Sequence, residues 1–351
     1  MRVRAIGYLR EAVTTSRLDR STSQIALTRF RPKALYLSFY GIGNKRLREQ
    51  ALNLIEGTEL NALVIDVKGD NGKIPYESSV PVASEVGAQS PRMITDIAGL
   101  MTTLRSKHIY TIARIVVFKD LLLALARPNL AVKTRAGNIW RNGEHLAWTD
   151  PFQRAVWDYN IDIAVEAARN GFDEIQFDYV RFPDAPGLVY IQPSTQASRI
   201  AAISGFLKEA RRRLAPYNVF LSADIFGYVC WNLNDTMIGQ RIEDLAPLLD
   251  YTSPMLYPSS FQFGIPGYRF SVAHPHEIVS QSLERARQRT RLSPNRFRPW
   301  LQAFKDYGFD RRAFTGKEIR AQISAADAFG SNGWMLWNPH NVYSADGLDE
   351  K

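Results

Sequence analysis

The chain has 351 residues, 45% of them hydrophobic, with a formal charge of +9 at pH 7 and one cysteine, Cys230. That length suits one large core, and the lone cysteine excludes intrachain disulfides and paired-cysteine zinc sites. No apolar run approaches the roughly 20 residues of a membrane span, so no membrane partner is expected.

Residues 1–32 read as a basic N-terminal extension. Arg2, Arg4, Arg10, Arg17, Arg20, Arg29 and Arg31 precede Lys33. The extension is expected to pack loosely or to meet an acidic surface. It lacks the apolar core of a signal peptide. The chain as written is therefore cytoplasmic, and secreted only if a leader has been removed. From Lys33 onward, short apolar runs alternate with helical patterns. A first strand, Ala34 to Phe39, is followed by a helix from Lys45 to Ile55 capped by Asn44. A second strand, Ala62 to Val67, precedes Ser90-Pro91, a cap before a proline at the first helical position. The third strand is Tyr110 to Phe118. A long loop, Lys119 to Thr149, then carries Trp140, His145 and Trp148. Asp150-Pro151 opens the next helix, which ends near Gly171.

The fourth strand, Glu174 to Phe182, runs into a carboxylate, an arginine and Pro183. Ser194 is expected to cap a helix ending near Leu214. The fifth and sixth strands are Phe220 to Gly227 and Asp250 to Tyr257. A second long loop, Pro258 to Pro275, holds Phe261, Phe263, Tyr268 and Phe270. His274-Pro275-His276 then starts a helix. The seventh strand is Phe297 to Phe304. Thr315 to Glu318 reads as a capping box, and Gly330 as a helix end before the last strand, Gly333 to Trp337. Eight near-continuous apolar strands separated by helices predict a parallel sheet closed as a single (β/α)₈ TIM barrel over residues 33–345.

Active sites of such barrels lie at the C-terminal ends of the strands. The polar residues there include Asp66, Lys68 and Asp70, Arg114, Asp178 and Arg181, Asp224, Tyr257, Gln302, and Trp337 with Asn338. Carboxylates, arginines, amides and aromatics around one rim suit a sugar. Its apolar faces stack on rings and its hydroxyls bond to carboxylates and amides. Glycoside hydrolysis needs two carboxyl groups. Asp178 and Asp224 end adjacent strands and alternate inward. Asp178 reads as nucleophile or oxocarbenium stabiliser, beside Arg114 or Arg181 as the cation that favours its ionised form. Asp224 reads as general acid, kept protonated by Ile225 and Phe226. Asp66 could replace either. Lys68, Arg114, Arg181, Tyr257, Gln302, Trp337 and Asn338 complete the expected substrate-binding set.

Other chemistries find no motif. The histidines, His108, His145, His274, His276 and His340, show no zinc-ligand spacing, and there is no P-loop or Gly-x-Ser-x-Gly elbow. No metal or cofactor is expected. Nucleic acid is not expected as a partner either, because Arg211 to Arg213 and Arg285 to Arg291 read as solvated helix faces. A glycan-binding barrel without hydrolysis is the first alternative, and a nucleic-acid binder the second.

Taken together, Ala62–Lys68, Ala113–Asp120, Phe172–Pro183, Ser222–Gly227 and Ser253–Ser259 resemble a family of uncharacterised bacterial proteins classed as glycoside hydrolases. These are TIM barrels distantly similar to the α-amylase superfamily. The resemblance spans about Lys33 to Asn341. It implies an acidic site at the ends of the fourth and fifth strands and a polysaccharide or oligosaccharide substrate, to which the basic charge adds acidic glycans as an option. One departure is Ser260, where the family's Tyr-Pro-Ser is often followed by histidine.

Overall fold

The computed structural model describes residues 2–12 and 25–351. Strands β1 (Lys33–Leu37), β2 (Ala62–Lys68), β3 (Tyr110–Val116), β4 (Glu174–Asp178), β5 (Phe220–Phe226), β6 (Tyr251–Met255), β7 (Trp300–Gln302) and β8 (Trp334–Trp337) form a closed barrel in that order. Every neighbouring pair is parallel. Helices α1 (Lys45–Gly57), α2 (Ile97–Ser106), α3 (Arg154–Arg169), α4 (Gln196–Leu214), α5 (Ile242–Leu245), α6 (Pro275–Thr290) and α7 (Gly316–Phe329) occupy the seven gaps between strands. This is the expected TIM barrel.

Most of the expected punctuation is present. Asn44 caps α1, its side chain accepting from Leu47 N, and Thr315 with Glu318 forms a capping box on α7. Three starts differ. Ser90-Pro91 opens no helix; α2 begins at Ile97, where Asp96 accepts from Gly99 N at 2.8 Å. Asp150-Pro151 forms a turn, with Asp150 accepting from Phe152 N and Ile191 N, and α3 begins three residues later. Thr195, not Ser194, caps α4, because Ser198 completes a reciprocal pair with it. The fourth strand stops at Asp178 rather than Phe182, since Tyr179 takes φ 46° and turns the chain. Left-handed backbone at a non-glycine residue beside a carboxylate is the kind of strain that functional sites store.

Most of the core lies between the barrel and its helices. The lumen holds a smaller cluster that includes Ala34, Val64, Ile112, Phe220 and Met335. Ile6, Leu9 and Phe30 of the N-terminal segment pack against this cluster. Arg10 bonds Asp173 and the Gly171 carbonyl, Gly7 N donates to the Tyr251 hydroxyl, and Arg4 pairs with Asp250. The described part of the extension is thus packed against the strand N-termini rather than lying loose. Arg17 and Arg20 fall outside the described residues.

Deep in the lumen, Glu174 accepts from Tyr110 Oη at 2.9 Å, Ser222 Oγ at 2.5 Å and Arg298 Nη1 at 2.7 and 2.8 Å. Neither member of the ion pair is exposed. Removing one partner of a buried pair leaves the other uncompensated, at a cost of about 3–5 kcal/mol. Glu174→Ala is expected to lose about that much in urea unfolding. The double variant Glu174→Leu/Arg298→Met should recover much of it; a loss equal to that of the single variant would show that packing, not charge, is at stake.

The arginine-rich helix faces are laced with ion pairs. Arg211 meets Asp250, Arg212 meets Glu209, Arg287 meets Glu284 and Arg289 meets Glu243. Among the described residues no helix is long and apolar enough to cross a membrane.

Candidate active site

The C-terminal ends of the strands surround a cleft of about 460 Å³. One wall is charged and carries Asp70, Arg114, Glu144, Asp178, Tyr179 and Arg181. The opposite wall is mostly aromatic, built from Phe226, Tyr257, Trp300, Phe304, Tyr307 and Trp337. Trp337 stacks on Tyr36 at 4.0 Å, and the Arg114 guanidinium lies 4.9 Å from the Trp337 ring. Aromatic faces on one side and carboxylates on the other suit a pyranose, which has apolar faces and a polar rim.

Arg114 organises the charged wall. Its Nη1 donates to Asp66 Oδ1 at 2.6 Å, its Nη2 to Asp70 at 3.2 Å, and both Nε and Nη2 reach Asp178 Oδ2, at 2.9 and 2.6 Å. Asp178 Oδ1 accepts from Tyr179 N at 2.5 Å. Asp66 is held below the cleft by the Tyr36 hydroxyl at 2.7 Å, and burial pushes its carboxyl up to about 6 against the pull of Arg114. Burial works against the charge on Asp70 too, but Arg114 and Lys119 outweigh it and keep that carboxyl below its usual value. Lys119 also binds Glu144 at 2.5 Å, which draws the tip of the long loop over the cleft.

Asp224 lives in a different environment. It is 1% exposed, accepts only from Trp300 Nε1 at 2.7 Å, and its Oδ2 has no partner among the described residues. Burial first, and then the charge of Asp178, push its carboxyl well above the usual value; Arg114 and the Trp300 N–H oppose the shift. Strand pairing of Phe177 with Ala223 places Asp178 and Asp224 at the next level on adjacent strands, which lie about 4.8 Å apart.

Asp178, Arg114, Arg181, Tyr257 and Trp337 therefore line one cleft, with Asp224 and Asp66 just beneath it. Lys68, Gln302 and Asn338 do not line it. A register shift after Asp66 carries Lys68 out of the lumen, where its Nζ meets Asp120 at 2.8 Å and lies over Tyr159 of α3. Gln302 is fully buried and bonds Ser259 and the Phe304 carbonyl. Asn338 bonds the Ala303 and Val342 carbonyls, fixing the loop after β8. These amides brace the rim.

The expected substrate-binding set lacked several lining residues. Trp300 sits two residues before Gln302, on the same side of the strand by alternation, and the alternation alone could have found it. Glu144 follows Asn142-Gly143, a hairpin turn signal, and the flanking segments do pair, Arg141 with Ala147. Asp70, named among the polar residues of the rim but not in that set, lies beyond the end of β2. Among the described residues no group of three or more His, Cys, Asp or Glu side chains is placed to hold a metal ion.

A closed parallel barrel with carboxyl and aromatic side chains at its C-terminal mouth is an architecture that glycoside hydrolases of the TIM-barrel class use. The chain belongs to the family DUF4015, described as "Putative glycosyl hydrolase domain", whose model matches residues 34–343. No curated protein matches it. A hypothetical protein from Ruminiclostridium thermocellum is 39% identical, covering 54% of this chain and 96% of its own, with a TM-score of 0.49. The PgaB (BpsB) glycoside hydrolase domain of Bordetella bronchiseptica is similar in fold, with a TM-score of 0.64 at 12% identity over 89% of this chain and 95% of that one. Alpha-L-fucosidase isoenzyme 2 of Paenibacillus thiaminolyticus gives 0.59 at 15% identity, over 90% and 47%.

Proposed function

We propose that residues 33–345, with 1–32 as their basic extension, hydrolyse an O-glycosidic bond in a polysaccharide, using Asp224 as general acid and Asp178 as the carboxylate that meets the anomeric carbon. The observation that carries this reading is the contrast between the two environments. Asp178 faces the cleft with its charge compensated by Arg114, whereas Asp224 is buried without a cation in contact and is pushed toward its protonated form. Neighbouring carboxyls held in such different surroundings are the usual basis for assigning acid and nucleophile. Asp224 lies one layer beneath the lining, so the Trp300 indole must yield as a sugar enters.

A carboxylate that meets the anomeric carbon forms the covalent intermediate of a retaining enzyme, so the product is expected to keep the anomeric configuration of the substrate. The test is reducing-end release from a panel of neutral and acidic polysaccharides, with NMR of the first-formed anomer. Folded Asp178→Asn should lose at least about a hundredfold in rate. Activity retained in that variant, or an inverted anomer, would overturn the assignment. The burial of Asp224 favours a second reading, a barrel that binds glycan without cleaving it. That reading predicts binding without product release, and Asp224→Asn with undiminished affinity.

A further inference from the structure

The charged residues at the cleft are matched with one exception. Arg114 is shared by Asp66, Asp70 and Asp178, and Lys119 by Asp70 and Glu144. Arg181 has no carboxylate within ion-pair distance among the described residues. Its side chain makes one hydrogen bond, Nη1 to the Phe182 carbonyl at 3.0 Å. A guanidinium offers about five N–H donors in a planar fork, so most of this one is unused.

The position of that fork is fixed. The guanidinium carbon lies 4.9 Å from the Trp148 ring and 5.2 Å from the Tyr179 ring, two rings that themselves pack 5.6 Å apart. Arg181 lines the cleft three residues after Asp178, on the same wall. Burial lowers its pKa, while Tyr179 and Asp178 act in the opposite direction; an arginine remains a cation at neutral pH throughout. The side chain is half-buried on the cleft wall, and its remaining N–H donors are engaged by no protein carboxylate among the described residues. A half-buried guanidinium with free donors on a cleft wall is chemically suited to receive an anion.

We propose that Arg181 is the specificity-determining residue for an anionic substituent, a carboxylate or a sulfate, on the sugar ring bound beside Asp178, so that the substrate is an acidic glycan. The inference rests on the glycosidase reading of this cleft. A planar guanidinium edge meets a carboxylate or sulfate with two parallel hydrogen bonds. The chain's charge of +9 would also attract a polyanion over longer range.

Binding and cleavage are measured separately, so that the two readings can fail independently. In the Asp224→Asn background, calorimetry measures the affinity of hexagalacturonate, of a sulfated heparin hexasaccharide and of neutral maltohexaose. At least one acidic hexamer is expected to bind about tenfold or more tighter than maltohexaose, and the preferred one tells carboxylate from sulfate. Adding Arg181→Gln should reduce the acidic-to-neutral affinity ratio by about tenfold or more, and Arg181→Lys should recover part of it. A ratio near one, a ratio that Arg181→Gln leaves unchanged, or no binding of any hexamer overturns the inference. In parallel, Asp224-intact enzyme is assayed for cleavage of the same sugars. Charge-dependent binding without cleavage would sink the glycosidase reading and leave the anion site standing. Cleavage indifferent to Arg181 and to substrate charge would do the reverse.

Discussion

Asp224→Asn is expected to abolish hydrolysis, with a fall in kcat of at least about a hundredfold, and to leave the fold nearly as stable as before. Both expectations come from one fact. Burial and the nearby Asp178 charge push the Asp224 carboxyl well above its usual value. At neutral pH its protonated form is nearly isosteric with an amide, and Asn can still accept from Trp300 Nε1. Asn cannot release a proton to a leaving oxygen, and general acid catalysis contributes about 10²–10⁴ in rate. The pH dependence has a definite sign. The acid must be protonated, so kcat/KM falls as pH rises through its raised pKa. Residual activity of Asp224→Asn should not show that alkaline limb. A pH-rate profile beside a thermal melt checks both points; an unchanged profile would remove Asp224 from the mechanism. A melting point lowered by many degrees would mean that the carboxyl is a structural anion.

The second large effect is on stability. Arg114 is the shared partner of Asp66, Asp70 and Asp178, and both it and its closest partners are nearly buried. Arg114→Met preserves much of the side-chain volume and leaves three carboxyls without their main cation. The expected cost is about 3–5 kcal/mol at neutral pH. At about 2 °C per kcal/mol for a chain of this length, the melting point should fall by about 6–10 °C. Without Arg114, burial of Asp66 loses its main opponent and the folded-state pKa, already about 6, rises further above the unfolded value, while Asp70 loses the larger of the two cations that hold its carboxyl down. The folded state then binds more protons than the unfolded state across that window, and stability falls as pH rises through it. The deficit relative to wild type should therefore be smaller near pH 5 than near pH 8. Denaturant unfolding at the two pH values measures this. A deficit independent of pH would assign the loss to packing against Tyr36 and Trp337 instead.

Periodicity carries the barrel. All eight strands could be read from apolar runs, because burial on both faces leaves a strand almost no freedom of composition, whereas the caps misplaced three helix starts. The strand ends were less legible. Lys68 continues the alternation of β2 on paper, but the register shift after Asp66 turns it outward. Gln302 and Asn338 sit at strand ends like the residues that line the cleft, and only three-dimensional closure shows them spent on neighbouring loops. Asp178 and Asp224 were legible because each lies within a regular strand, where alternation decides direction. Asp70 and Glu144 lie in loops, where it does not. The lack of an ion pair at Arg181 is a property of everything around it, and no local pattern could reveal that.

The two walls of the cleft come from separate stretches of the chain. The charged wall spans Asp70 to Arg181, and the aromatic wall Phe226 to Pro339. Neither half of the polypeptide owns a usable groove. During synthesis the half that carries the charged wall would emerge first and stay inert until the second half docks and the ring of strands shuts. Turnover would then act as a reporter of complete assembly. A half-made chain would have no cleft, and functional complementation of two co-expressed halves would amount to a direct count of closed barrels.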